Sequence, residues 1–302
     1  MAVCATLGIP FQTIDLEAEY KKEVVDYMLA EYAAGRTPNP DVMCNDKIKF
    51  GAFFDAAQRA GAEYVATGHY ARVVTDAAGQ THLLAGVDGN KDQSYFLWRL
   101  RQETLTHVLF PVGDLQKPRV RELAHEFGLP VADKKDSQGV CFLGHVDIKD
   151  FLKRFITITP GSVLDETGGV IGTHDGAILY TLGQRHGFSV TRKQPEDGAF
   201  YVVAKNVSEN TITVSRHLTT TNTFDVSSVV LENCNWVAGV AAESGEYLAR
   251  FRYRQPLFEC VYDADTAAVR FSSPQKSVAP GQSLTLYRGD ELIGGGVVSA
   301  VS

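Results

Sequence analysis

No stretch of the sequence stays apolar over the roughly 20 residues that a membrane-crossing helix requires, and no signal-peptide pattern opens it. A cytoplasmic protein with no membrane partner is the expectation. The five cysteines (Cys4, Cys44, Cys141, Cys234, Cys260) are odd in number and widely spaced. That argues against a secreted disulfide framework, and no two stand close enough to suggest a zinc knuckle. Also missing are a G-x-x-x-x-G-K-[ST] phosphate loop and any glycine-rich loop that follows a strand and opens a helix. Long internal repeats and low-complexity tracts are absent too.

What is present is ordinary globular material, enough for two or three domains: 302 residues, 44% apolar and 22% charged. A net charge of −7 argues weakly against a nucleic-acid partner, so its distribution matters. Residues 1–90 hold 7 Lys/Arg against 12 Asp/Glu, and residues 161–302 hold 11 against 15. Residues 91–160 hold 11 against 9, a local balance of +2 that includes "RLRQ", "KPRVR", "KK" and "KDFLKR". Solvated helix faces explain such runs as well as phosphate contacts do.

The opening "AVCATL" reads as a helix stopped by Gly8 with Pro10 just beyond. "FQTIDL" alternates like a strand. "EAEYKKEVVDYMLAEYAAG" places Val24, Val25, Met28, Leu29 and Tyr32 at helical spacing and ends at Gly35. "GRTPNPDVMCNDKIKF" (35–50) follows. Pro38 and Pro40 are expected to keep Thr37 to Met43 out of helix, with Asn45 or Asp46 capping the next helix. "AEYVATGHYARVV" then reads as a short strand ending at Thr67-Gly68-His69. Strand, helix, helix, strand is α/β logic with a parallel sheet. From about residue 156 short β-branched runs alternate with Gly, Asn and Asp breaks, which indicates antiparallel β modules, small barrels or sandwiches.

Cys44 lies at the end of the stiffened turn, next to a helix N-terminus whose partial charge favours a thiolate. A buried cysteine that merely packs is an equal reading of that stretch. Cys141, in "VADKKDSQGVCFLG" (131–144), follows a polar glycine-bearing turn with two lysines upstream. Cys4, Cys234 and Cys260 read as packing residues.

Taken with "NPDVMCN", "ATGHYAR", "KDQSYFL" and "YTLGQRHG", the two cysteine motifs make the sequence one that resembles the MnmA family of tRNA-specific 2-thiouridylases along its whole length. The resemblance implies an adenine-nucleotide α-hydrolase-like, Rossmann-type α/β domain over 1–145, a small central β-rich domain over 146–215 and a C-terminal β-barrel over 216–302. It implies an ATP-dependent sulfurtransferase that replaces the C2 oxygen of the wobble uridine by sulfur. ATP with Mg2+ activates the oxygen, and the partners are tRNA and a sulfur-donor protein, either a persulfide relay or a cysteine desulfurase. The family opens with a strand and an SGGVDSS-type loop, whereas this sequence starts inside a helix. A second expectation is therefore a tRNA-binding, sulfur-carrying module that binds ATP weakly and does not activate uridine.

By the same resemblance Cys141 carries the persulfide, Cys44 is the attacking nucleophile, and the two form a transient disulfide. Asp41 is placed for acid–base work near the base, although Asp after Pro is also a common turn former. Asn39 and Pro40, with Asp41, match positions that contact the target base. His69, Lys91, Asp92, Gln93, Arg252, Tyr253 and Gln282 match tRNA-facing positions. Gly68 matches an ATP contact, where a missing Cβ admits close approach. Without the family, His69 reads as a structural histidine and Arg252 as a solvated strand residue.

Overall fold

The computed structural model describes residues 1–134, 151–191, 198–216 and 225–302. Its first helix, Ala2–Leu7, ends at Gly8 in the left-handed region (φ 65°, ψ 26°), as the glycine stop requires. Residues 9–16 form no strand. Alternation alone does not make one: among the described residues no neighbouring ladder takes up the backbone groups of "FQTIDL".

Two long helices follow, each interrupted by a wider π-helical stretch. The first runs through Glu17–Tyr20, Lys21–Val25 and Asp26–Ala33. The second runs through Pro40–Met43, Cys44–Ala52 and Phe53–Arg59. This second start corrects the expectation of a non-helical turn over Thr37 to Met43. Pro40 occupies the first helical position, where its missing N–H costs nothing and its fixed φ suits the helix. Asn39, and neither Asn45 nor Asp46, is the cap: its side-chain oxygen accepts from Val42 N at 3.3 Å.

Strands β1 (Val65–Ala66), β2 (Ala71–Thr75), β3 (Thr81–Ala85) and β4 (Val108–Leu109) complete the N-terminal part. Among the described residues its parallel pairing is β1 with β4. The hairpin β2–β3 leaves that sheet for the C-terminal one.

The central unit is a five-stranded sheet of β5 (Gly161–Leu164), β6 (Val170–His174), β7 (Phe188–Val190), β8 (Tyr201–Asn206) and β9 (Thr211–Ser215). Their order is β7-β6-β5-β9-β8, over a core of Val163, Tyr180, Val202, Ile212 and Val214.

The C-terminal strands are β10 (Asp225–Trp236), β11 (Gly245–Arg250), β12 (Phe258–Asp263), β13 (Ala268–Lys276), β14 (Ser283–Arg288) and β15 (Glu291–Val301). They pair antiparallel in the order β10-β13-β12-β11-β14-β15, and β10 with β15 closes a barrel. Closure removes the sheet edges. β3 joins at Leu84↔Glu291, so the β2–β3 hairpin extends the barrel sheet. His82 Nδ1 meets Glu291 Oε1 at 2.6 Å, and Arg72 pairs with Asp290 across the same seam.

One apolar core joins the N-terminal part to the barrel: Val42, Phe50, Phe54, Leu97 and Trp98 pack with Tyr287 and Leu292. Among the described residues no helix is long and apolar enough to cross a membrane.

Candidate functional site

The second helix carries Asp41, Cys44 and part of a cleft wall. Asn39 caps it, and Asp41 and Cys44 follow on its first turns. Cys44 therefore sits one turn further into the helix than expected, where the field of the free N–H groups has largely decayed. The thiol is fully buried, packed with Tyr20, Val24, Val25, Met28, Ile48, Phe151 and Leu152. It opens the π-helical stretch Cys44–Ala52, a helix variant that recurs at functional sites. Asp41 Oδ1 is buried without a hydrogen-bond partner in the described structure. A buried carboxylate oxygen so placed is costly unless a ligand or proton completes it.

A cleft of about 780 Å³ lies beside this helix, lined in part by Tyr20, Ile48, Lys49, Phe53, Thr67, Gly68, His69 and Gln93. Tyr20 and Ile48 belong both to this lining and to the cluster that holds Cys44, so that cluster reaches the cleft wall. His69 is buried, with its ring flanked by Phe50 and Phe110. Burial, reinforced by the charge of Lys49, pushes its pKa down to about 3, so the ring is neutral near pH 7. Lys49 Nζ, 3.4 Å away, has only hydrogens to give, so Nε2 accepts. The ring proton then sits on Nδ1 and is donated to Thr67 Oγ1 at 2.7 Å. Gly68 is exposed on the lining, and a Cβ there would meet nothing within 4 Å. The space in front of it is open to a ligand.

The "KDQSYFL" segment is placed unevenly. Gln93 lines the cleft, accepting from Tyr70 N through its side chain (3.1 Å) and donating its own N–H to Tyr70 O (2.8 Å). Lys91 is half-buried on the turn before it. Asp92 corrects the expected tRNA contact: its carboxylate points inward. It accepts from Gly86 N and Ser94 N (3.0 Å each) and pairs with the equally buried Arg250.

Arg252 and Tyr253 line a surface groove of about 580 Å³ on the barrel together with Arg254 and Lys276. Two further cations thus join the two residues that the motif pointed to. Gln282 is not among the residues lining this groove; its side-chain oxygen accepts from Ala279 N at 3.0 Å, closing a turn whose Pro280 carbonyl accepts from Thr37 N. Cys141, and with it the expected Cys44–Cys141 disulfide, lies outside the described residues.

Sequence reasoning missed Lys49, Asn45 and Tyr95. Lys49 stood in view in "DKIKF", five residues after Cys44. Asn45 donates its amide to Phe96 O at 3.2 Å, and Asn39 donates to Tyr95 Oη at 3.3 Å. No local pattern announces either contact.

Three protein-family models match the chain: a tRNA methyl transferase HUP domain over residues 1–145, a tRNA methyl transferase PRC-barrel domain over 149–216 and an aminomethyltransferase beta-barrel domain over 226–298. Among curated proteins, the tRNA-specific 2-thiouridylase MnmA of Lacticaseibacillus paracasei is 44% identical over 99% of this chain and 80% of its own length. That of Streptococcus mutans is 45% identical over 98% of this chain and 80% of its own. That of Thiobacillus denitrificans is 45% identical over 99% and 84%.

Proposed function

We propose, from the premise that the chain belongs to the MnmA family of tRNA-specific 2-thiouridylases, that it transfers sulfur to C2 of the wobble uridine of tRNA in an ATP-dependent reaction. The observation that carries the reading is the second helix. It holds Asp41 and Cys44 on one capped segment and, through Ile48, Lys49 and Phe53, forms a wall of the cleft. The nucleotide and thiol chemistry is assigned to residues 1–145, with 146–215 and 216–302 as the central and barrel units that support and bind RNA.

The cleft fits an adenine nucleotide. Its volume lies in the range of small-molecule sites, Gly68 leaves backbone accessible, and Lys49 supplies a cation for phosphate. ATP, with Mg2+ on its phosphates, supplies the adenylyl group that turns the uridine C2 oxygen into a leaving group. The remaining work falls to this chain. A uridine splayed from its stack is held by polar edges, the role assigned to Asn39 and Pro40, with Asp41 moving a proton at the base. His69, Lys91 and Gln93 approach the RNA around the cleft, with Arg252, Tyr253 and Gln282 on the barrel side.

Cys141 carries the persulfide sulfur delivered by a donor protein. The Cys44 thiolate attacks the inner sulfur of that persulfide. The old S–S bond breaks as the Cys44–Cys141 bond forms, and the outer sulfur departs as hydrosulfide and takes the place of oxygen at C2. An external thiol then reopens the disulfide. Phe151 and Leu152, ten and eleven residues after Cys141 in the sequence, pack in the cluster that holds Cys44.

The test is 2-thiouridine formation in tRNA, read by mass spectrometry of digested nucleosides, with ATP and inorganic sulfide or a cysteine desulfurase as donor. The wild-type chain should form it, and Cys141→Ala should form none with the desulfurase. Undiminished product from Cys141→Ala would refute the persulfide role.

A further inference from the structure

The short helical turn Ser94–Leu97 lies between the barrel and the helix that bears Cys44. On one side it and the residues just before it are knit to residues 250–253. Asp92 pairs with Arg250, the Tyr95 hydroxyl lies 2.9 Å from Phe251 O, and the Phe96 and Tyr253 ring centroids stand 4.9 Å apart. On the other side Asn39 donates to Tyr95 Oη and Asn45 donates to Phe96 O. These two asparagines bracket Asp41 and Cys44.

Tyr95 is 3% exposed, and its hydroxyl has one hydrogen to give. That hydrogen goes to the barrel, shared between Phe251 O and Ser283 O (3.1 Å), while the oxygen accepts from Asn39 Nδ2. Asn39 in turn accepts from Val42 N through Oδ1. The hydrogen bonds therefore run without a gap from barrel backbone to helix cap. The carbonyl of Phe251 immediately precedes Arg252 and Tyr253, which line the cationic groove.

We infer that Tyr95 is a positioning residue for sulfur transfer: its hydroxyl fixes the cap residue Asn39 against the barrel, and so sets the turn of Asp41 and Cys44 relative to the groove of Arg252 and Tyr253. The inference rests on the role proposed above for Cys44. It assigns a purpose to a tyrosine that touches neither the cleft nor the groove. Phenylalanine at this position would keep the ring contacts with Phe96 (5.3 Å between centroids) and Arg250, yet leave the Asn39 amide and two buried carbonyls short of a partner.

Iodoacetamide labelling of the 302-residue chain, resolved by peptide mass spectrometry, reads two buried thiols separately. Cys44 is 0% exposed and reports on the helix; Cys260 is 2% exposed and reports on the barrel. Tyr95→Phe should label Cys44 about fivefold faster, the worth of one net hydrogen bond, with Cys260 unchanged. Asn39→Ser keeps a capping oxygen but cannot reach Tyr95. It should behave alike, and the double variant should be no faster than Tyr95→Phe alone. In tRNA thiolation Tyr95→Phe should lower kcat at unchanged KM. An unchanged Cys44 rate, a parallel rise of Cys44 and Cys260, multiplying effects in the double variant, or a raised KM at unchanged kcat would each overturn the inference. A wild-type chain that forms no 2-thiouridine would refute the proposed function instead, and the labelling ratio alone would then decide the positioning.

Discussion

Asp92 and Arg250, 158 residues apart in sequence, form an ion pair in which both side chains are 5% exposed. Arg250 also donates to Ser94 Oγ at 2.9 Å and to Tyr287 Oη at 2.6 Å, so the pair is embedded in further hydrogen bonds. Breaking such a pair leaves a buried charge uncompensated, at about 3–5 kcal/mol. Asp92→Ala should therefore lower the urea midpoint strongly, while the folded protein keeps its tRNA affinity. Wild-type stability with much weaker tRNA binding would return Asp92 to the RNA surface.

The two best-placed histidines respond to pH with opposite signs. His69 has its folded pKa pushed down to about 3 by burial and by Lys49, below the ordinary value of 6.5. Its contribution to stability is full above 6.5 and is lost as pH falls toward 3, at up to about 1.4 kcal/mol per pH unit. His69→Asn should flatten thermal stability between about pH 6.5 and 4. His82 is raised by its hydrogen bonds to Glu291 and Asp76, so its contribution is present below 6.5 and fades as pH rises through the raised value. His82→Asn should lose stability at about pH 5.5 and little at about pH 9. A variant curve parallel to wild type in either case would reject that assignment.

Phosphate contacts leave a mark in the salt dependence of binding. Arg252 is exposed on the groove, and Lys91 is half-buried on the turn before the cleft. Replacing either by Ala should weaken tRNA binding and reduce the slope of log K against log salt by about 0.7–0.9 for each phosphate that goes unneutralised. The slope is measured by filter binding between roughly 50 and 300 mM KCl, where counterion release dominates. Weaker binding with an unchanged slope would mean that the cation acts through the fold.

Residue patterns carried the architecture further than they carried the site. Gly8 and Gly35 mark helix ends in sequence and in structure because their backbones adopt positive φ. The β-rich second half was legible from alternation and turn residues. The start of the second helix was not: Pro40 is equally at home in a turn and at the first helical position, and what decides is Asn39, whose side chain reaches Val42 N. The β2–β3 hairpin gave no sign that it would extend the barrel, since Glu291 stands 209 residues beyond its partner His82. "KDQSYFL" was legible as a functional stretch, but the inward turn of Asp92 depends on Arg250, which no local window contains. Long-range pairing of this kind is decided by the fold as a whole.

Asp41 and Cys44 should separate the chemical step from binding. Asp41 lies on the first turn of the helix, with one carboxylate oxygen buried and without a partner in the described structure. Cys44 lies one turn on, fully buried in the cluster that includes the cleft-lining Tyr20 and Ile48. Neither is placed to add a phosphate contact, so tRNA affinity and its salt slope should be unaltered in Asp41→Asn and Cys44→Ser. General acid–base catalysis contributes about 10²–10⁴ in rate, and Asp41→Asn should lower kcat by that order. Asn keeps the shape of the side chain, so stability should change little. Cys44→Ser should stop turnover after persulfide has loaded on Cys141, which mass spectrometry of the trapped protein would show as one added sulfur. Single-turnover assays with tRNA at saturation, together with binding isotherms, measure these quantities on one preparation. Equal losses of tRNA affinity in Asp41→Asn and Lys91→Ala would show that Asp41 belongs to the binding surface, and an active Cys44→Ser would remove the disulfide step from the mechanism.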